Sequence, residues 1–567
     1  MSPARLPDKV EEFNGQDWQA VEPYYQELVD RSLTPETTDA WLRDWSKLEA
    51  LLQDTFTLLN TAYHLDTENA EKQAAVARFL AEIYPKALVA SERLKRKLIE
   101  SGADLPEQAI MLRGFRNDLE LFREENVPLI SQVEQLSLQY QQIMGAMTVQ
   151  FDGQERTVQQ LLPYLLRTDR TVREAAWRAG RERQMQDRAA LHDLFDRMLA
   201  ARRQIAINAG FTNYRDYRFR ELGRFDYTPD DCKKFHAAIE QVVVPAVQKR
   251  LARRREKMGL DALRPWDLAV DPAGRPPLKP FEQVDTLIAR SRAIFQRVDP
   301  TLGGYFDTMA GENLLDLDNR KGKAPGGYCT TFYIRQRPFI FMNAVGIHGD
   351  VQTLLHEGGH AFHSFEMNPL PLIWNSNIPM EIAEVASMSM ELLAAPYITE
   401  FYSPAEAARA RLEHLEGTLS FLPYMAVVDA FQHWLYENPD HSHAERDAKW
   451  LELHDRFMPG VDWSGLEEER ASLWQRQLHI YEVPFYYVEY GIAQVGAWQV
   501  WQNSLCDPRT ALQNYRAALA LGYTRPLPEL YRTAGADFFA FGDESRLTEL
   551  VALIEGQLAS LEAEGGN

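Results

Sequence analysis

Apolar residues recur three and four positions apart along most of the chain, the period of an amphipathic helix. Thr37 to Ala62, Glu68 to Ser101 and Asn126 to Met147 read as successive helices, joined by polar segments containing Gly or Pro. The period then changes. Met147 to Val158 alternates around Asp152-Gly153, which predicts a β-hairpin. Long helices resume from Thr171 to Ala209 and from Pro229 to Met258. Residues 260–280, rich in Pro, Gly and Asp, read as a loop or lobe joint, and 315–327 as a mobile loop leading into a strand. Tyr333-Ile334 and Pro338 to Met342 carry β-forming residues, with Pro338 favouring an edge strand. After Glu384 the pattern is helical almost to the end, up to a short Glu/Gly tail at 562–567. These patterns predict a mainly α protein with a small β element, an N-terminal helical lobe over 1–150 and a second region over 151–567.

Composition narrows the function classes. With 567 residues, 45% of them hydrophobic, the chain can bury a large core, and the net charge of −21 argues against nucleic acid and anionic membranes as partners. The basic run Lys249 to Lys257 lacks interleaved aromatics and reads as a solvated helix face. Three widely spaced cysteines, Cys232, Cys329 and Cys506, do not suggest a disulfide framework. The N-terminal residues have no apolar leader, and no run of 18 apolar residues occurs, so a cytoplasmic protein without a membrane span is expected.

One segment carries chemistry. Val351 to His363 places His356, Glu357 and His360 in an H-E-x-x-H array on a helix, for which Gly349-Asp350 offers an N-cap. Two histidines four apart share a helix face and reach one ion, while the Glu between them, about 100° round, holds a water against it. Gly358 and Gly359 weaken the helix interior by about 1 kcal/mol each relative to Ala, so they read either as a close approach of backbone or substrate, or as close helix packing.

A catalytic zinc needs three protein ligands and an open position. The second acidic segment, Ile378 to Leu393, carries Glu381, Glu384 and Glu391 on an otherwise apolar stretch, where carboxylates are unfavourable unless they meet a cation or a histidine proton. A third His in the H-E-x-x-H-x-x-G-x-x-H manner is ruled out, because His363 and Glu366 stand at those positions. His348 is a further, upstream possibility. Asp429 to His433 and His441-Ser-His443 form no metal pattern and read as structural or surface residues. The segment His479 to Tyr490 supplies one imidazole and four tyrosines, His479, Tyr481, Tyr486, Tyr487 and Tyr490, which suit stabilisation of an oxyanion. The strand before the metal helix could accept a peptide as an added strand, with Asn343 and Ala344 beside the scissile bond.

The chain resembles the thimet oligopeptidase and oligoendopeptidase F family of zinc metallopeptidases. The resemblance rests on His356-Glu-Gly-Gly-His-Ala-Phe-His363, Glu384-Val-Ala-Ser387, Gly326-Gly-Tyr-Cys329, Pro338 to Asn343, His479 to Gly491 and Asn208 to Tyr217. Ala386 and Met388 stand where longer members have Pro and Gln, so the bacterial oligoendopeptidase branch is the one resembled. The resemblance implies one zinc ion on His356, His360 and Glu384, with Glu357 as general base. It favours His479, Tyr486 and Tyr490 as donors to the oxyanion. Glu381 and Glu391 are expected to orient ligand imidazoles, and Gly327 joins Asn343 and Ala344 as an expected substrate contact. The implied fold is two helical lobes around a deep substrate channel, with a small β-sheet beside the zinc-binding helix. The implied substrates are short unstructured oligopeptides, cut at internal bonds. Two alternatives remain: a metallocarboxypeptidase using Arg335 or Arg337 to hold a free C-terminus, and a peptide-binding protein with a structural metal, which needs a fourth protein ligand.

Overall fold

The structure, a computed structural model, describes residues 5–564; the first residues of the N-terminal segment and the end of the Glu/Gly tail lie outside them. Helices dominate, accompanied by a two-stranded and a three-stranded sheet. Thr38–His64 and Val127–Gly145 form where helical periodicity places them. Two expected long helices are interrupted by a π turn instead of running straight. Phe79–Ile83 precedes a helix opening on Pro85, and Ile239–Val243 precedes one opening on Pro245. Proline lacks an amide hydrogen and its ring presses on the carbonyl four residues back, and the wider turn relieves that clash.

The hairpin pairs β1 (Thr148–Phe151) with β2 (Gln154–Thr157), antiparallel. Asp152 and Gly153 both take positive φ, 53° and 73°, as this two-residue turn requires. The second sheet has β3 (Leu315–Asp318), β4 (Tyr328–Phe332) and β5 (Arg337–Ala344) in the order β3-β5-β4, with β3 parallel and β4 antiparallel to β5. Two expectations change here. The loop expected over 315–327 begins with β3, and Tyr333-Ile334 forms a turn rather than a strand, because the buried Asp54 carboxylate accepts both amides at 2.7 and 2.9 Å. Pro338 lies on the central strand, not an edge one; it is tolerated because β3 pairs with β5 only from Ile340 onward.

The chain divides into two compact units, each assembled from three stretches. One comprises Met1–Glu120, Lys279–Ala410 and Gly496–Phe538, and the other Leu121–Leu278, Arg411–Val495 and Phe539–Asn567. A single cut at residue 150 falls inside a stretch of the second unit, whereas the Pro- and Gly-rich segment 260–280 ends where the chain passes between units. The first unit holds the three-stranded sheet and a core in which Trp45 meets Trp374 edge-on with ring centroids 4.4 Å apart. No helix among the described residues is long and apolar enough to cross a membrane, and the three cysteines form no disulfide.

Candidate active site

The helix His348–Met367 begins before the predicted Gly349-Asp350 cap, with Ile347 in the cap position. Asp350 sits in its first turn and accepts the amides of Val345, Gly346 and Ile347 at 2.8, 2.8 and 3.0 Å, which fixes the chain's entry from β5. Leu354, Leu355 and Phe362 are fully buried, and the helix packs on β4, β5 and the helix Met380–Ala394. Both interior glycines have a packing cause. A Cβ at Gly359 would lie 2.5 Å from the Ala386 carbonyl oxygen and 2.6 Å from Ser387 Cα, and one at Gly358 would lie 2.6 Å from the Phe295 ring. The two helices therefore approach backbone to backbone at Gly359.

That approach brings His356, His360 and Glu384 together, with one donor atom from each within 4.8 Å of the others. Nε2 of His356 and of His360 lie 3.3 and 3.8 Å from Oε2 of Glu384. The opposite ring nitrogen of His356, Nδ1, meets Oε1 of Glu391 at 2.7 Å, so Glu391 turns the other nitrogen toward the cluster. Two imidazoles and a carboxylate, with no fourth protein donor in the group, fit a tetrahedral divalent metal with an open position. A closed structural metal site is not what this donor set builds. Burial lowers the His356 pKa, yet Glu384 and Glu391 outweigh it and hold the group well above its ordinary value. His360 is pushed down to about 4, chiefly by burial.

Glu357 lies outside the donor cluster and is 7% exposed. Burial pushes its carboxyl up to about 7, with the charge of His356 and the Cys329 backbone pulling the other way. The Glu357 carboxyl therefore neighbours β4, one of the two edge strands of the sheet. Cys329 answers in kind, its thiol raised by burial and by the Glu357 charge.

Other expected residues fall as follows. Glu381 is buried, and its carbonyl accepts the Tyr531 hydroxyl at 2.6 Å. His348 pairs with the Tyr402 hydroxyl at 2.8 Å and stands outside the donor cluster. Asn343 donates to the carbonyls of Ala324 and Gly326 at 2.8 and 2.9 Å, so its side chain shapes the loop before β4. Ala344 is buried opposite Asp318, and Gly327 lies against Phe341 and Thr353, each 3.4 Å from where a Cβ would be. Arg335 and Arg337 both pair with Glu312, Arg337 at 3.0 Å through Nε and Nη2, so a free C-terminus would compete with that carboxylate for either cation.

In the second unit, His479 stacks among Tyr486, Tyr487 and Tyr490 with centroids 4.7 to 6.1 Å away. Burial pushes His479 down to about 4, leaving a neutral imidazole whose Nδ1 faces Gln477 at 2.7 Å. Tyr481 is different: fully buried, it bonds the Leu191 carbonyl and stacks on Trp474, as core.

Three supports of the site went unread in the sequence. Ser387 donates to Oε2 of Glu384 at 2.7 Å; its place one turn after Glu384 was visible, its partner was not. The Tyr515 hydroxyl donates to the Ala386 carbonyl at 2.7 Å and Tyr531 to Glu381, from 129 and 150 residues away, a separation no local pattern reveals.

The chain is 22% identical over 307 residues to the oligopeptidase PepF of Bacillus subtilis (strain 168), a match covering 52% of this chain and 44% of that protein. It is 24% identical over 230 residues to an oligoendopeptidase F homolog of Borreliella burgdorferi, covering 39% of this chain and 38% of that one. The matched stretches thus span less than half the length of these curated relatives. Among solved structures, PZ peptidase A with an inhibitor superposes with a TM-score of 0.89 at 28% identity, over 98% of this chain and 100% of that one. Residues 164–540 match the profile of peptidase family M3, a span that is more than half of the chain and contains the donor cluster, Glu357 and the His479 to Tyr490 segment. The chain belongs to peptidase family M3.

Proposed function

We propose that this chain is a zinc-dependent endopeptidase that hydrolyses internal bonds of short, unstructured oligopeptides in a reducing, cytoplasmic setting. The observation that carries the reading is the cluster of His356, His360 and Glu384 donors with Glu357 beside it and the edge strand β4 adjacent. When bound there, zinc supplies Lewis-acid polarisation to the reacting oxygen atoms. Glu357 takes a proton from the attacking water and later delivers it to the leaving nitrogen, since a carboxylate poised near neutrality serves both directions. The peptide adds as a strand to β4, held through main-chain atoms, with Gly327 giving the loop room for close approach and Asn343 fixing that loop. Ala344, its methyl buried, contributes through its backbone alone. Tyr490, with His479 and Tyr486, donates to the oxyanion; a neutral imidazole and phenol hydroxyls suit that task. Glu391 orients His356, and Glu381 braces the acidic helix through Tyr531.

Mass spectrometry of a mixed peptide library, with each peptide offered with a free and an amidated C-terminus, tests the reading. Internal cuts indifferent to amidation are expected. Trimming confined to free C-termini would establish the carboxypeptidase, and no cleavage by zinc-loaded protein would sink both. Glu391→Gln, which loses the charge facing His356 Nδ1, is expected to weaken zinc binding about 10- to 100-fold, read by competition with a chelator. Unchanged affinity would remove Glu391 from its orienting role.

A further inference from the structure

A second group of ligand-type side chains lies wholly inside the other unit, where the proposed peptidase chemistry makes no use of it. The helix Pro229–Ala238 contributes Cys232 and His236, and the long helix Pro404–Glu437 contributes Asp429 and His433. Each pair is four residues apart and so shares one helix face. Cys232 and Asp429 are fully buried, His433 is 2% exposed and His236 5%. Donor atoms of Cys232, Asp429 and His433 lie within 4.8 Å of one another. His236 Nε2 meets Oδ2 of Asp429 at 2.8 Å, and His433 Nε2 stands 3.3 Å from the same oxygen.

The group is not satisfied as it stands. Oδ1 of Asp429 and Nδ1 of His433 have no hydrogen-bond partner among the described residues, and Nε2 of His433 has only its 3.3 Å approach to Oδ2 of Asp429, although all three are fully buried atoms. Native interiors rarely leave such atoms together so poorly paired, and here they lie near the Cys232 thiol.

We propose that Cys232, Asp429 and His433 bind a zinc ion distinct from the one at His356, with His236 orienting the Asp429 carboxylate. A sulfur, a nitrogen and an oxygen donor match zinc's ligand range. A tetrahedral zinc sets its donors about 3.3 to 3.8 Å apart, so rotamer adjustments of about an ångström close the group. Binding releases the Cys232 thiol proton to solvent, and the thiolate and carboxylate then balance the two charges of the ion, which leaves the buried site neutral. Three protein donors leave the fourth tetrahedral position to a water, as at the first cluster, and the effect of the ion is on the scaffold around it. It ties two helices together directly behind the tyrosine segment, because Gln432 accepts the Phe485 amide at 2.8 Å and the Phe485 ring lies 5.3 Å from that of His433.

The test uses the full chain and needs no activity. Zinc is measured in wild type, in His356→Ala/Glu384→Ala, which removes the active-site ligands, and in Cys232→Ser; each protein is then loaded with Co²⁺ and its absorption recorded. Two zinc ions per wild-type chain are expected, falling to one in each variant. A near-ultraviolet thiolate-to-cobalt charge-transfer band is expected in wild type and in His356→Ala/Glu384→Ala, and not in Cys232→Ser. No metal in the His356→Ala/Glu384→Ala variant, or a band that survives Cys232→Ser, overturns the proposal. Should either variant fail to fold, the absence of that band from fully cobalt-loaded wild type overturns it alone. Failure of the active-site reading leaves this result unchanged, because the two sites share no residue.

Discussion

Glu357→Gln is expected to reduce turnover at least about a hundredfold, within the 10² to 10⁴ range of acid–base contributions, while zinc content stays at the wild-type level. The substitution preserves shape and burial and changes only the capacity to hold a proton. Glu357 is not among the clustered donors, so its loss leaves His356, His360 and Glu384 in place. The amide accepts no proton from the attacking water and has none to return to the leaving nitrogen. Initial rates on a quenched fluorescent peptide, alongside zinc by mass spectrometry, separate the two effects. Turnover within about tenfold of wild type would take the base role from Glu357, and lost zinc would show that it supports the ligands instead.

What the sequence makes legible here is what a single element determines. His356, Glu357 and His360 are read together because one helix fixes their directions. Asp152-Gly153 is read because a two-residue turn demands positive φ at both positions. Glu384 and Glu391 stand out because carboxylates on an apolar helix need partners, and each faces His356 from its own side. What depends on distant elements stays hidden. Pro338 suggests an edge strand, yet edge status is decided by where β3 joins, and β3 itself lies within a segment that reads as a loop. Cys232 with His236 and Asp429 with His433 are unremarkable pairs until the fold brings helices 193 residues apart into contact. The interleaving of the two units belongs to the same class, since chain order alone does not tell which stretches pack together.

Gly359→Ala is the second large expected effect, and it tests whether the metal ligands depend on a backbone contact. The added methyl meets Ala386 O at 2.5 Å, Ser387 Cα at 2.6 Å and the Ala386 carbonyl carbon at 2.9 Å. All three are backbone atoms, so no rotamer change relieves them and the helix Met380–Ala394 must shift. Overpacking of this kind costs about 1 to 3 kcal/mol, against which Ala returns about 1 kcal/mol of helix preference. Function suffers more than stability, because Glu384 lies two residues from the clash and a displacement of about 1 Å lowers turnover on the order of 10²-fold. The matching control is Gly114→Ala, in the helix Ala109–Leu121, where nothing lies within 4 Å of the new methyl. There the helix preference acts unopposed, and melting is expected to rise slightly with activity unchanged. Thermal melting and turnover of the two variants measured side by side decide the matter: if Gly359→Ala behaves like Gly114→Ala, the close approach at Ala386 does not hold Glu384 in place.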